Sequence, residues 1–217
     1  DDQEFRDKFL QIASGEVDRI SSLVTELLDF ARTSDPKLEM ESVNVILDGM
    51  ILLVSTEANK KQISVQKIYD PNLPSVEIDR EQMKQVFLNV LLNAIEATPE
   101  KGKITVRTRS FLKPGGEPYV QIEFTDTGSG IPQELLEEIF NPFFTTKTTG
   151  SGLGLSISNQ IIQDHQGYID VESQRGRGSS FLINLPVNQE HPKRRKADSE
   201  NDQGTPDVLE KRRMNKG

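Results

Sequence analysis

The chain has 217 residues and no cysteine, so disulfides, cysteine metal sites and thiol nucleophiles are excluded. It also lacks a long apolar run, since no stretch approaches the ~20 residues that a membrane-spanning helix requires. Positive charge is not in excess either. The formal net charge is −8, which argues against nucleic-acid binding through phosphate attraction. These absences favour a cytoplasmic protein that binds no nucleic acid.

The amino terminus lacks the basic stretch followed by an apolar one that marks a secretory signal. The first residue is Asp1 rather than methionine. We therefore expect a piece of a longer protein, in which a membrane tether of the parent would belong to a missing amino-terminal region.

Apolar residues at steps of three and four predict one long helix over residues 3–32, and Pro36 ends it. A helix of this length with one narrow stripe is typical of a bundle or coiled coil, and packing on its own domain is the alternative. We expect residues 1–35 to form this separate segment. The stripe consists of Phe9, Ala13, Val17, Ile20, Val24, Leu27 and Ala31.

Helical and strand patterns alternate over residues 36–187, which we expect to form one domain. From Val187 onward the periodicity is lost, so residues 188–217 are predicted to be a disordered tail. Helices are predicted over 44–60, 80–98, 133–139 and 152–166, the last with Gly167 as its C-cap, and strands over 63–68, 75–79, 103–111, 119–126, 168–173 and 179–186.

Two asparagines in the helix predicted over 80–98 are the first candidates for chemistry. Asn89 and Asn93 are four residues apart, which places both amides on one helix face. Amide oxygens are hard ligands that suit Mg²⁺. A hydrogen-bonded spacer beside the core is the alternative for a single amide.

A second candidate is DTGSGIP at residues 126–132, which follows a predicted strand. Gly128 and Gly130 let the backbone bend and approach a ligand closely. A carboxylate at the strand end, here Asp126, suits an acceptor for the amino group of a base. A tight turn requires the same residues, so this motif alone is weak.

The third candidate is NPFFTTKTTGSGLGLS at residues 141–156. Gly150, Gly152 and Gly154 lead into a predicted helix, whose free N–H groups and dipole favour an anion such as phosphate. Lys147 would supply a movable cation. A flexible surface loop is the alternative, although a loop this long in a compact domain is usually functional or disordered.

The order of these motifs resembles that in the catalytic and ATP-binding domain of bacterial sensor histidine kinases, which belong to the GHKL group of ATPases. The resemblance covers about residues 1–186. It implies an α+β fold, the GHKL α/β sandwich of a mixed sheet packed on helices, preceded by a long bundle helix. It also implies ATP and Mg²⁺. The NAIEAT and NPFFTTK segments resemble the nitrogen-regulation and sporulation branch.

The resemblance implies that Asn93 binds Mg²⁺, that Asn89 supports the metal and phosphate region, and that Asp126 accepts the adenine amino group. Residues 140–149 would form a lid over the nucleotide, with Phe143 and Phe144 as apolar anchors. Asn89 and Lys147 are the candidate catalytic residues. The expected nucleotide-binding set is Asn93, Asp126, Gly128, Gly130, Ile131, Phe140, Phe144, Thr145, Lys147, Gly150, Ser151, Gly152, Leu153, Gly154, Leu155 and Ser179.

Glu96 departs from the family pattern, because many members carry lysine or arginine there. Neither His165 nor His191 has the His-Glu-x-x-Asn-Pro context of a phosphoacceptor, and a structural or surface role is expected for His165. Residues 16–32 resemble the second helix of the dimerisation bundle. The acceptor histidine would therefore lie on a helix outside this chain.

The implied function is transfer of the ATP γ-phosphate to that histidine, for relay to an aspartate of a response regulator. The implied partners are a second copy through the N-terminal helix, a receiver domain, and a kinase inhibitor or sensor protein. A GHKL serine kinase or ATPase and a non-catalytic nucleotide-sensing or docking module are the alternatives. Asn89 favours transfer, because hydrolytic members usually have glutamate at that position.

Overall fold

The computed structural model describes residues 36–147 and 150–187, together with Gln3, Arg6 and residues 8–10, which are helical. Most of the helix predicted over 3–32, His191 and the predicted tail lie outside the described residues. Within the described part, no helix has the length and hydropathy needed to cross a bilayer.

Residues 36–147 and 150–187, as the structure describes them, contain seven strands and three α-helices. In chain order they are β1 (Glu39–Glu41), α1 (Val43–Lys60), β2 (Ser64–Ile68), β3 (Val76–Ile78), α2 (Arg80–Ala97), β4 (Lys103–Leu112), β5 (Pro118–Asp126), α3 (Gly154–Asp164), β6 (Tyr168–Gln174) and β7 (Gly178–Pro186), with a short 3₁₀ helix at Gln133–Leu135 after β5.

The main sheet is mixed and has the strand order β2-β4-β5-β7-β6. β2 and β4 are parallel, and the other neighbours are antiparallel. β1 and β3 form a separate antiparallel pair. Alternate residues of the central strands are buried beneath the helices, as in Phe124 of β5, whose ring centroid lies 5.9 Å from that of Phe87 on α2. The predicted mixed sheet packed on helices is confirmed.

α2 begins at a side-chain cap. The Asp79 carboxylate accepts hydrogen bonds from the N–H groups of Glu81 and Gln82 at 2.9 and 3.0 Å, which satisfies two of the free donors of the first turn. Burial alone would raise the pKa of Asp79, but hydrogen bonds from the N–H groups of Gln82, Lys37 and Glu81 lower it overall. This cap fixes where α2 starts and therefore where its later turns lie.

His165 joins the end of α3 to the start of α2. It is buried, and its Nε2 accepts a hydrogen bond from the Asp79 N–H at 2.9 Å. Its Nδ1 therefore carries the proton and donates to the Ile161 carbonyl oxygen at 2.7 Å. Both ring nitrogens are engaged, so the structural role expected for His165 is confirmed.

The prediction for the end of α3 was wrong. His165 is the C-cap, and Gln166 takes the left-handed conformation with φ of 59°. Gly167 serves another purpose, because a Cβ there would lie 2.4 Å from the Asn184 carbonyl oxygen of β7. The glycine allows the chain to pass close under the sheet.

Two further elements differ from the prediction. The helix predicted over 133–139 is only a 3₁₀ turn at Gln133–Leu135, which follows Pro132. β1 was not predicted, because it has only three residues and owes its extended form to pairing with β3. Neither difference affects the central sheet or the two helices that carry the candidate site.

Candidate functional site

A cavity of about 730 Å³ lies between α2, the end of β5 and the amino end of α3. This volume falls in the range typical of small-molecule sites. Most of the predicted site residues line it: Asn89, Asn93, Asp126, Gly130, Ile131, Phe144, Thr145, Lys147, Gly150, Ser151, Gly152, Gly154, Leu155 and Ser179.

Three predicted residues do not line the cavity. Gly128 instead donates its N–H to Asp126 Oδ1 at 2.7 Å. Leu153 is buried in the core with 1% exposure, and Phe140 is half-buried against the same core. These three residues support the walls of the cavity.

Asp126 lies at the last position of β5 and is buried. Its Oδ1 accepts hydrogen bonds from the N–H groups of Gly128 and Ser179, at 2.7 and 3.3 Å. Burial raises the pKa of the Asp126 carboxyl above its ordinary value, although these two N–H groups act in the opposite direction. Among the described residues none donates a hydrogen bond to Oδ2, so that oxygen is available to a ligand.

The turn after Asp126 is held by backbone contacts that only glycine permits. Gly130 has φ of +67°, and a Cβ there would lie 2.1 Å from the Gln174 carbonyl oxygen. The next residue, Ile131, donates its N–H to Ser173 Oγ at 2.7 Å. The loop is thus fixed against β6, and Ile131 is placed in the cavity wall.

Asn89 and Asn93 share the cavity-facing side of α2, as their spacing predicts. Asn89 Nδ2 donates to Ser158 Oγ of α3 at 2.8 Å, and Asn93 Nδ2 donates to Asn89 Oδ1 at 3.4 Å. These two hydrogen bonds orient both amides. Asn93 Oδ1 is left facing the lysine of the lid.

Lys147 reaches from the lid across the cavity to α2. Its Nζ donates to Asn93 Oδ1 at 2.8 Å and forms an ion pair with Glu96 Oε2 at 2.5 Å. The amide oxygen and the carboxylate together are a donor set that a small divalent cation accepts. An ammonium group is the cation that they hold in this structure.

Gly154 opens α3 directly beside Asn89. A Cβ at Gly154 would lie 2.4 Å from Asn89 Oδ1, so the helix start approaches the amide as closely as a glycine allows. Gly152 has φ of +72°, and a Cβ there would lie 2.5 Å from the carbonyl carbon of Phe143. The backbone at Gly152 therefore lies directly against Phe143 and Phe144 of the predicted lid.

The lid has one apolar anchor instead of the expected two. Phe144 is half-buried, packs on the core and lines the cavity. Phe143 is 63% exposed and adopts a left-handed φ of 68°. The expectation for Phe143 was wrong, because the backbone turn that brings it against Gly152 points its ring outward. Thr148 and Thr149, at the end of the predicted lid, lie outside the described residues.

Ser158 and Phe181 are among the cavity-lining residues that sequence reasoning missed. Ser158, 1% exposed, holds the Asn89 amide, and Phe181 of β7 forms part of the apolar wall. Ser158 is four residues after Gly154, and this helical spacing is the signal that could have identified it. Phe181 carries no signal apart from the strand alternation that buries it.

Comparison with known proteins defines the class of this domain. Residues 78–189 match the family of histidine kinase-, DNA gyrase B- and HSP90-like ATPases. The match spans more than half of the chain and includes all of the cavity-forming elements. The chain belongs to this ATPase family.

Within the family the chain is similar to sensor histidine kinases. It is 39% identical to the sensor histidine kinase ZraS of Escherichia coli K12 over 178 residues, which make up 82% of this chain and 37% of ZraS. It is 36% identical to sporulation kinase E of Bacillus subtilis strain 168 over 187 residues, or 86% of this chain and 25% of that kinase. The chain thus spans well under half the length of these relatives.

A solved structure supports the same assignment. The histidine kinase ThkA, crystallised in complex with the response regulator protein TrrA, matches with a TM-score of 0.69 and 32% identity. The match covers 83% of this chain and 51% of that one. The resemblance to sensor histidine kinases and the GHKL fold class are confirmed.

Proposed function

We propose that residues 36–187 form a domain that binds magnesium ATP in the cavity and transfers the γ-phosphate to a histidine on a bundle helix outside this chain. The phosphate would then pass to an aspartate of a response regulator. The observation that carries the proposal is the convergence of Asp126, Asn93 and Gly154 on one cavity of nucleotide size. Asp126 would define the end of the cavity that binds the base, and Asn93 and Gly154 the end that binds the phosphates.

At the base end, Asp126 Oδ2 is the group that would accept a hydrogen bond from the adenine amino group. The N–H groups of Gly128 and Ser179 hold the other oxygen, which prevents rotation of the carboxylate. Ile131 and Phe181 supply apolar walls for the ring. A buried acceptor favours adenine, because guanine presents a carbonyl oxygen at the equivalent position.

At the phosphate end, the first turn of α3 presents N–H groups beside Asn89, where the helix dipole favours an anion. Asn93 Oδ1, with Glu96 beside it, fits a magnesium ion that takes its other ligands from water and phosphate. Bound magnesium would offset the negative charge of the phosphates. Lys147 must release Asn93 for this, and it would then be free to turn toward the phosphates.

Asn89 supports phosphoryl transfer over hydrolysis. A side-chain amide cannot take a proton from water, and the Asn89 amide is held by Ser158 at 2.8 Å. In transfer, a neutral imidazole nitrogen forms a bond to the γ-phosphorus, the bond to the bridging oxygen breaks, and ADP leaves. The protein then mainly positions and stabilises charge.

The remaining assignments follow from the same proposal. Residues 1–35 would dimerise with a second copy and place the domain near its target, and a receiver domain would be the downstream partner. ThkA, solved with TrrA, is a similar kinase with such a partner. A kinase inhibitor or sensor protein would act on the same bundle. We propose a cytoplasmic location for the domain and a separate, non-catalytic role for residues 188–217.

Calorimetric titration with ATP, with and without Mg²⁺, tests the nucleotide site. Asp126→Asn should weaken ATP binding by roughly 10- to 100-fold, as expected when a charged acceptor of a hydrogen bond is lost. Asp164→Asn is the matched control, because Asp164 lies at the far end of α3 and pairs only with Gln160 at the surface. Equal ATP affinity in both variants would contradict the role of Asp126.

Labelled ATP tests the transfer reaction. With Mg²⁺ alone, this chain should acquire no acid-labile phosphate, because His165 has both ring nitrogens engaged and His191 lacks the sequence context of a phosphoacceptor. Label should appear when a histidine-bearing bundle helix from a similar kinase is added. Acid-labile label on His165, or rapid release of inorganic phosphate without an acceptor, would overturn the proposed reaction.

A further inference from the structure

The carboxyl end of α2 is where the cavity meets the rest of the domain. A helix leaves its last four carbonyl groups without helical partners. Here these belong to residues 95–98, since Ala94 O still accepts the N–H of the C-cap Thr98 at 3.0 Å. α2 has no basic residue in its last turn, and Thr98 follows in extended conformation. The usual glycine cap and the usual intrahelical cation are both absent from this end.

All four carbonyl oxygens nevertheless accept hydrogen bonds. Ala97 O accepts from the Ser129 N–H at 3.2 Å. The other three carbonyls, those of Ile95, Glu96 and Thr98, are satisfied from a different part of the chain.

Lys61, at the C-cap of α1, is the donor to these three carbonyls. Its Nζ lies 2.8 Å from Ile95 O, 3.0 Å from Glu96 O and 3.2 Å from Thr98 O. All three ammonium protons thus have an acceptor, and the positive charge lies at the negative end of the helix dipole. A side chain from α1 replaces the cap that the sequence of α2 lacks.

The turn that Lys61 holds is part of the candidate site. It presents Asn93 and Glu96 to the cavity on one side. On the other side, Ala97 O fixes Ser129, and a Cβ at Gly128 would lie 2.6 Å from that same oxygen. A displacement of this turn would therefore move both the metal-binding amide and the loop that follows Asp126.

We propose that Lys61 is a positioning residue for the nucleotide site. It acts through the last turn of α2, to which the phosphate end and the base end of the cavity are both attached. This inference rests on the proposed function, because it concerns the same nucleotide. α1 does not border the cavity, yet through Lys61 it would control the distance between Asn93 and the loop that follows Asp126.

The test compares Lys61→Met with Lys60→Met in the full chain. Methionine retains most of the apolar stem of lysine and removes the ammonium group. Lys60 is the matched control, because it is 65% exposed and pairs only with Glu57 on the same helix. ATP affinity is measured by calorimetry well below the melting temperature, and backbone amide shifts of Gly128 and Ser129 are measured by NMR without nucleotide.

Lys61→Met should weaken ATP binding roughly 3- to 30-fold, the range for residues that act through a packed network without touching the ligand. It should also shift the Gly128 and Ser129 amide signals, and Lys60→Met should do neither. Lys61→Arg, which keeps the charge and the donors, should recover most of the affinity. Should the methionine variant not fold, Lys61→Gln against Lys60→Gln, which removes the charge but leaves a polar side chain, provides the same amide-shift comparison.

The outcomes separate the two proposals. If Lys61→Met lowers only the melting temperature, with wild-type affinity and unshifted amides, Lys61 is a simple helix cap and the inference is wrong. If the unmodified chain itself does not bind ATP, the proposed function fails. The amide shifts then still decide whether Lys61 positions the loop.

Discussion

Gly154→Ala is the substitution whose effect follows most directly from the described geometry. The new Cβ would lie 2.4 Å from Asn89 Oδ1 and 2.9 Å from its Cγ. The amide would have to retreat by about 1 Å to reach ordinary contact distance. Its 2.8 Å hydrogen bond to Ser158 Oγ would then be lost, and a buried hydroxyl would be left without that partner.

Three terms determine the change in unfolding free energy, one stabilising and two destabilising. Alanine is favoured over glycine in a helix by at most ~1 kcal/mol. Overpacking costs about 1–3 kcal/mol, and the lost hydrogen bond costs about 0.5–1.5 kcal/mol more. We therefore expect a net destabilisation of about 1–3 kcal/mol, together with weaker ATP binding, because Asn89 and Asn93 are no longer oriented.

Gly49→Ala is the matched control. Gly49 lies inside α1, and a Cβ there would meet nothing within 4 Å. Only the higher helix propensity of alanine then changes the unfolding free energy, so this variant should be stabilised by about 0.5–1 kcal/mol. Urea unfolding followed by circular dichroism measures the change in unfolding free energy of both variants. Calorimetric titration with ATP measures the change in ATP affinity.

An additional Asn89→Ala change should relieve the clash, so that Gly154→Ala becomes nearly neutral in that background. If Gly154→Ala instead stabilises the protein as Gly49→Ala does and leaves ATP affinity intact, α3 does not contact Asn89 as described. The start of α3 would then not orient the Asn89 amide.

Three other changes have defined outcomes. His165→Leu should lower the unfolding free energy by about 1–3 kcal/mol by leaving the Asp79 N–H unpaired, with ATP affinity unchanged below the unfolding transition; a loss of affinity in urea-free calorimetry would contradict a purely structural role. Glu96→Gln should change stability by less than about 0.5 kcal/mol, since its ion pair with Lys147 is exposed. It should nevertheless strengthen ATP binding in the presence of EDTA, because the lysine is then free to turn toward the phosphates; unchanged metal-free affinity would show that the ion pair does not restrain Lys147. Because burial raises the pKa of Asp126, the folded state binds the proton of this carboxyl more tightly than the unfolded state. The wild type should therefore gain stability relative to Asp126→Asn as the pH falls toward 3.8 and lose it again as the pH rises. Urea unfolding from pH 4 to 7.5 measures this difference, and a pH-independent difference would refute the expectation.

The parts of the fold that sequence reasoning predicted are those set by local chemistry. α2 was predicted over 80–98 and observed at Arg80–Ala97, because its apolar period and the Asp79 cap are both local features. The buried alternation of β5 likewise placed Asp126 at a strand end. Those two elements alone brought Asn93 and Asp126 to the same cavity.

The parts that could not be predicted depend on contacts between distant segments. β1 is held by its pairing with β3 and by the ion pair of its Glu41 with Arg80 of α2, both of which join it to distant segments. Lys61 is an ordinary lysine after a helix, and nothing near it in the sequence shows that α2 needs a donor. The Lys147 contact with Asn93 joins residues 54 positions apart. The sequence therefore identified both residues but not the hydrogen bond between them.

The pairing of β5 with β7 has a consequence for synthesis on the ribosome. One of the two N–H groups that hold the Asp126 carboxylate belongs to Ser179, 53 residues later in the chain. A nascent chain that has released β5 but not β7 retains the Gly128 donor to this carboxylate, but it lacks the Ser179 donor and the penultimate strand of the sheet. The cavity is therefore completed only when almost the whole domain has emerged.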